Sequence, residues 1–386
     1  MRLSPTAELA YCTNIHPAET LEETWSALKT HTLKVRDLLR ERGHLAVDSP
    51  YAIGLRLSAQ AATELEGRIE EFKSWLTTEN CYVFTINGFP YGAFHGTRVK
   101  EKVYAPDWST AARLSYTKSM ANVISALNPE GRSLSVSTLP GSFKAFNAYE
   151  PAIFVHLVEI AEHLEQLSEE QGQDLHLGLE PEPLGHFENL QETLDFFERL
   201  WTYAPDKVEL LKRRIGVNYD TCHFALEYED CHTALGTLTA HEIRISKIHL
   251  SNALSFDPQN AHALVGLRDF DEPTYLHQVL VKSPSGQITR FSDIPEFFDR
   301  IETKGNEFIE GRCHFHVPLY NQPTAPFGTT LEHALDALQY LNTYPDYCPH
   351  FEIETYTWGV LPEHLQLPIE EMIAKEYEWT LASIKD

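Results

Sequence analysis

IGVNYDTCH, residues 215–223, decides the fold: a largely apolar run that arrives at a carboxylate, Asp220, and an imidazole, His223. Three other segments share its form. LHLGLEPEP (175–183) delivers Glu180, SKIHLSN (246–252) delivers His249 and HFEIETYTW (350–358) delivers Glu354. Such runs read as strands covered on both faces, the situation of a parallel sheet under helices. In a barrel of such strands the chemistry sits at their C-terminal ends. The four segments therefore bring three carboxylates and one imidazole to one rim, a mixed O/N donor set that suits a divalent cation, Mn²⁺, Mg²⁺ or Zn²⁺.

Outward from these segments, strand-like and helix-like stretches alternate. ELAYCTNI (8–15) precedes Thr20-Leu21-Glu22-Glu23, a capping box that opens an amphipathic run ending at Gly43. YAIGLRLS (51–58) precedes a helical stretch to about 77, YVFTING (82–88) a loop and a helix from Asp107, and SLSVSTL (133–139) a long helix over about 147–170. The strands at 175–182, 215–222, 245–252 and 350–357 follow, with helices after Asn189, near 230–242 and from about 366. Eight strands with helices between them predict an α/β fold, a single (β/α)₈ TIM barrel spanning 1–386. Residues 253–328 exceed a minimal barrel and are expected to form an insertion after strand 7. It holds a hairpin, VLVKSPSGQITRF (279–291), and the His-containing RCHFHVPLY (312–320), and is expected to act as a lid over the rim.

Composition narrows the function. The 31 basic and 56 acidic residues give a net charge of −25. That balance works against a nucleic-acid partner, whose affinity rests on phosphate neutralisation. Six cysteines stand without CxxC spacing, which suits a reducing compartment. No apolar stretch is long enough to insert in a membrane and the N-terminus has no apolar leader, so a cytoplasmic location is expected.

Strand parity sharpens the site. Alternate side chains point to opposite faces, so Asn218 shares a face with Asp220, Lys247 with His249, Glu352 with Glu354 and His176 with Glu180. Val217, Tyr219, Ile248, Leu250, Phe351 and Ile353 take the other face, against the helices. Taken singly, a buried His or Glu is usually a satisfied core residue. Gathered at one rim, such groups are costly to bury without compensation, and a divalent ion is the simplest compensator.

Glu180 in GLEPEP, Asp220 and His223 in GVNYDTCHF, His249 in IHLSN and Glu354 in EIETYT resemble the Glu, Asp-Thr-x-His, His and Glu set of the xylose isomerase-like barrel superfamily. That superfamily includes ketose 3-epimerases, inosose dehydratases and abasic-site nucleases of the endonuclease IV type. TINGFPYGAFHG (85–96), KVYAPDW (102–108) and SVSTLPGSFK (135–144) are similar to the EboE family, the barrel member of a bacterial gene cluster implicated in metabolite traffic. The resemblance implies that Glu180, Asp220, His249 and Glu354 ligate the metal and that His223 is a substrate contact or extra ligand. It also implies that Glu180 and Glu354 exchange a substrate's α-proton through an enediolate. Implied partners are a small oxygenated metabolite and proteins of the same cluster. The alternatives are a binding or handover protein without turnover, and a metal phosphodiesterase like endonuclease IV.

His314 and His316 stand where the nuclease branch carries Asp-x-His, and are candidates for a second ion. Against a full three-zinc site, SLSVSTL ends without a His, and a Gly/Pro loop displaces His95 from the third strand's end. Asn87, Tyr91 and His95 lie in a βα loop rich in polar and aromatic residues and are expected to contact substrate. Glu182 follows Glu180 but Pro181 and Pro183 break the pleat, and Glu352 one layer deeper is expected to pair with Lys247. His16 before Pro17 reads as a turn residue. Cys222 reads as apolar filler, and GSFK (141–144) is a weak phosphate signal.

Overall fold

The structure is a computed structural model that describes residues 1–96, 98–320, 325–361 and 366–384. In chain order come β1 (Glu8–Tyr11), β2 (Tyr51–Arg56), β3 (Cys81–Asn87), β4 (Ser133–Thr138), β5 (Asp174–Leu179), β6 (Ile215–Asp220) and β7 (Arg244–Leu250). Five short strands follow, β8 (Leu254–Phe256), β9 (Val279–Lys282), β10 (Ile288–Phe291), β11 (Glu310–Cys313) and β12 (Phe327–Thr329), and the last is β13 (His350–Ile353). Strands β1–β7 and β13 form one parallel sheet in the order β1-β13-β7-β6-β5-β4-β3-β2. A parallel bridge from Cys12 to Gly54 joins β1 to β2 and brings the sheet round into a nearly closed barrel. Each barrel strand matches one of the eight apolar runs.

Helices cover the barrel because their apolar stripes face it. Thr20 Oγ1 accepts from the Glu23 amide at 3.2 Å and Glu23 Oε2 accepts from the Thr20 amide at 2.9 Å, which forms the expected capping box. The helical run it opens reaches Glu41 through one π turn at Leu28–Thr32. Helices Ala111–Leu127, Glu150–Gln171 and Leu190–Tyr203 follow β3, β4 and β5. Cys231–Ala240 follows β6, and Ile369–Ser383 follows β13. Among the described residues, no helix is long and apolar enough to cross a membrane.

Close approach inside the barrel fixes one glycine. A Cβ on Gly54 would lie 2.1 Å from Glu352 Oε1 and 2.6 Å from the Tyr11 carbonyl oxygen. Only the missing side chain lets β2 pass the buried carboxylate and reach β1.

The insertion is more ordered than a hairpin and loops. Its five strands make a second, antiparallel sheet in the order β10-β9-β11-β8-β12. The expected hairpin is β9–β10, closed by the Ser283 amide on the Gln287 carbonyl at 2.9 Å, with Gly286 at φ +83°. Asn252, just after β7, exchanges bonds with Val317: its Nδ2 donates to the Val317 carbonyl at 2.6 Å and its carbonyl accepts from the Val317 amide at 3.0 Å. This tie carries His314 and His316, just beyond β11, to the barrel mouth.

Candidate metal centre

Glu180, Asp220, His249 and Glu354 converge: one ligand atom from each lies within 4.8 Å of the others, and all four residues are buried. His249 Nδ1 is 3.1 Å from Glu180 Oε1, 3.1 Å from Glu354 Oε2 and 3.6 Å from Asp220 Oδ2. The remaining carboxylate oxygens are aimed by fixed donors. Asn218 Nδ2 donates to Glu180 Oε2 at 2.8 Å, and Asn14 and Asn87 donate to Glu354 Oε1 at 2.8 and 3.1 Å. Asp220 caps the helix Thr221–Leu226: its Oδ1 accepts from the amides of Cys222 (2.7 Å) and His223 (3.2 Å) and from Ser251 Oγ (2.5 Å). Among the described residues, its Oδ2 is buried without a hydrogen-bond partner.

This donor set fits a divalent ion. An orphaned buried carboxylate oxygen carries a large desolvation cost unless a cation meets it. The charge balance points the same way: burial pulls His249 down, yet the charges of Glu354 and Glu180 outweigh it and hold the imidazole well above its usual range. Burial, helped by the charges of Glu180 and Asp220, pushes Glu354 up against the pull of His249. On its other side, His249 Nε2 donates to Glu352 Oε2 at 2.9 Å, which orients the ring and turns Nδ1 toward the carboxylates, where an ion would take the place of its proton.

A second group adjoins the first. His223 Nδ1 faces the Pro181 carbonyl at 3.0 Å, His314 Nδ1 faces Gln278 Oε1 at 2.7 Å and His316 Nδ1 faces the Glu354 carbonyl at 2.8 Å. Each partner only accepts, so each Nδ1 carries the proton and each Nε2 is left with a lone pair. Those lone pairs converge: His314 Nε2 is 3.2 Å from both His223 Nε2 and His316 Nε2. Burial holds His223 down to about 4 and His314 well below its usual range, so neither supplies a second proton near neutrality. Bare imidazole nitrogens pointed at one another repel unless a cation sits among them. Asp220 belongs to this group as well, with His223 and His316, and so stands between two candidate ion positions.

A cavity opens beside these groups, lined among others by Glu180, Glu182, His223, His314 and Glu354. Glu182, two residues past Glu180, lies 3.7 Å from His223 Nε2, and burial with the charges of Asp220 and Glu354 pushes its carboxyl well above the usual range. Of the loop residues expected to contact substrate, Asn87 reaches the cluster, as a donor to Glu354. Tyr91 packs on Tyr116, ring centroids 5.1 Å apart, and His95 sits edge-on to Phe94 at 5.1 Å, with neither nitrogen partnered among the described residues. Neither lines this cavity.

Several side chains gain or lose a role. Glu352 pairs with Lys247 at 2.7 Å as the sequence suggests, but it also orients His249. Asn14 was hidden because the first strand stops at Tyr11 and a 3₁₀ turn, Thr13–Ile15, turns this side chain toward Glu354. Arg113, fully buried, donates to the carbonyls of Gly88 (2.7 Å), Phe89 (3.1 Å) and Pro106 (2.8 Å), and so holds the loop that places Phe89 on the cavity wall. His16 bonds Tyr11 at 2.9 Å and stacks on His31, Lys144 is ion-paired with Glu188 and Glu192, and burial pushes the Cys222 thiol up.

No family model and no curated protein matches the sequence. Solved structures do. A xylose isomerase-like TIM barrel protein from Mycobacterium smegmatis in complex with magnesium aligns at 11% identity over 100% of this chain and 98% of its own, TM-score 0.50. A D-tagatose 3-epimerase-like protein aligns at 11% identity over 98% of both chains, also at 0.50. At that identity the likeness establishes the fold alone: this chain is a (β/α)₈ TIM barrel, as theirs are.

Proposed function

We propose that this protein is a divalent-metal-dependent barrel enzyme that isomerises or epimerises a small oxygenated metabolite, with Glu180 and Glu354 moving the proton. The convergence of Glu180, Asp220, His249 and Glu354 in one buried sphere, with Asp220 Oδ2 orphaned, carries this reading. The magnesium held by one structural neighbour and the epimerase likeness of the other agree with it. A bound ion would supply Lewis acidity to a substrate carbonyl and its adjacent hydroxyl. Glu180 and Glu354 lie on either side of His249 and both face the cavity, so one can take an α-proton and the other return it. Burial raises the proton affinity of Glu354, which suits a carboxylate that must hold a proton between steps.

The close approach of the Nε2 atoms of His223, His314 and His316, with Asp220 grouped with His223 and His316, favours a second ion that these residues would hold. A donor set rich in imidazole suits zinc better than magnesium. A paired centre is also what metal phosphodiesterases use, but the net charge of −25 opposes DNA as the substrate.

Elemental analysis of the purified protein, with a turnover screen over a metabolite pool, tests the reading. Retained metal, and turnover that Glu354→Gln abolishes while metal is partly kept, is the expected result. Failure to take up metal on readdition sinks it. Tight metabolite binding without conversion assigns instead the handover role that the EboE resemblance implies.

A further inference from the structure

Much of the cavity lining is aromatic. Phe94, Tyr275 and Tyr356 form a triangle, with ring centroids 5.1 Å apart for Phe94–Tyr275 and 5.2 Å for the other two pairs. Phe89 and Tyr104, 5.6 Å apart, continue the wall, and Val103 completes it. A wall that reads a sugar needs amide or charged groups free to bond successive hydroxyls. The ammonium and amide donors of the lining are engaged. Lys100 is ion-paired with Asp293, and Asn14 gives its Nδ2 to Glu354. Gln278 gives its Oε1 to His314 and its Nε2 to the Pro183 carbonyl at 3.2 Å. Among the described residues, Asn14 Oδ1 and the Tyr104 hydroxyl are buried without a partner, and with Glu182 on the floor they are the few groups left to bond a ligand hydroxyl.

We infer, resting on the metal reading above, that the site takes a molecule with a chelating oxygen pair at one end and a flat, apolar, aryl-type body at the other, and that a polyhydroxylated sugar is not its substrate. The carboxylate and histidine floor anchors the oxygens, and the rings of Phe94, Tyr275 and Tyr356 take the body by stacking and edge contacts. A sugar in the same place would turn hydroxyls toward rings, losing hydrogen bonds to water with few in return.

The test is calorimetric titration of manganese-loaded protein with three ketols that share one chelating group: 2-hydroxyacetophenone, hydroxyacetone and the open-chain ketose erythrulose. The aryl ketol is expected to bind at least tenfold more tightly than erythrulose. Val103→Asn, at a half-buried position, is expected to weaken the aryl ketol at least tenfold while hydroxyacetone affinity and metal content stay as in the wild type. Erythrulose binding as tightly as the aryl ketol, or an aryl affinity indifferent to Val103→Asn, overturns the inference. Metal content measured on the same samples separates the two readings. Metal held with no aryl preference refutes the substrate class alone, whereas no metal uptake refutes the metal reading and the chelating end with it.

Discussion

Replacing Glu352 by Gln keeps its shape and removes its charge, which separates two jobs that the residue performs at once. The carboxylate is fully buried and accepts from Lys247 Nζ at 2.7 Å and from His249 Nε2 at 2.9 Å. Without its charge, the buried Lys247 ammonium keeps only neutral acceptors, the amide oxygen of the variant and the Ser137 hydroxyl at 2.9 Å. Removing one member of a buried ion pair costs about 3–5 kcal/mol. The pKa gives a similar figure. Burial pushes Glu352 up, but Lys247 and His249 overcome it and hold the carboxyl at about 2 instead of 4.5, worth roughly 3 kcal/mol at ~1.4 kcal/mol per unit. At ~2.1 cal/mol/K of unfolding entropy per residue, a loss of that size lowers the melting midpoint of a chain this long by about 4 °C. Because the folded-state pKa is depressed, this stability is complete above pH 4.5 and is lost as pH falls toward 2. Urea unfolding of wild type and variant should therefore differ fully at pH 7 and converge below pH 4.5. Metal affinity, read by competition with a chromophoric chelator, should fall by about 10–100-fold as His249 loses its orienting partner. Adding Lys247→Met should restore stability without restoring metal affinity. A single variant within ~1 kcal/mol of wild type at pH 7 would refute the pairing argument, and unchanged metal affinity would refute the orienting role.

Three further outcomes are expected. Gly54→Ala forces a methyl to 2.1 Å from Glu352 Oε1 and should destabilise by about 3 kcal/mol or more; a normal melting curve would show that β2 can shift outward. His314→Ala should lower metal content from two equivalents to one and leave the Glu180 position filled; unchanged stoichiometry on elemental analysis would remove the second ion. Arg113→Met strips donors from the carbonyls of Gly88, Phe89 and Pro106 and should cost about 3 kcal/mol. It should also speed limited proteolysis within 88–106, and an unchanged cleavage rate there would contradict the clamp.

The barrel was legible because each of its strands is buried on both faces and therefore reads as an apolar run, and because parity groups what faces inward. Asn218 and Asp220, Lys247 and His249, and Glu352 and Glu354 all meet in the interior, as their spacing requires. Parity even survives one residue past the strand ends, where Glu180 and Glu354 stand beyond Leu179 and Ile353. What the sequence hides depends on distance along the chain. The strands β8, β11 and β12 are three or four residues long, with polar positions among the apolar, and pair with segments tens of residues away. Local pattern therefore returns only the β9–β10 hairpin, whose turn chemistry is local. The histidine trio is hidden for the same reason. His223 comes from a helix that begins at Asp220, and His314 and His316 from the far side of the insertion, so their bonding to Pro181, Gln278 and Glu354 exists only once the second sheet is docked. An HxH pair in sequence gives two ligands, and only the fold, by fixing every Nδ1 as a donor, turns the Nε2 atoms of His223 and His316 toward that of His314.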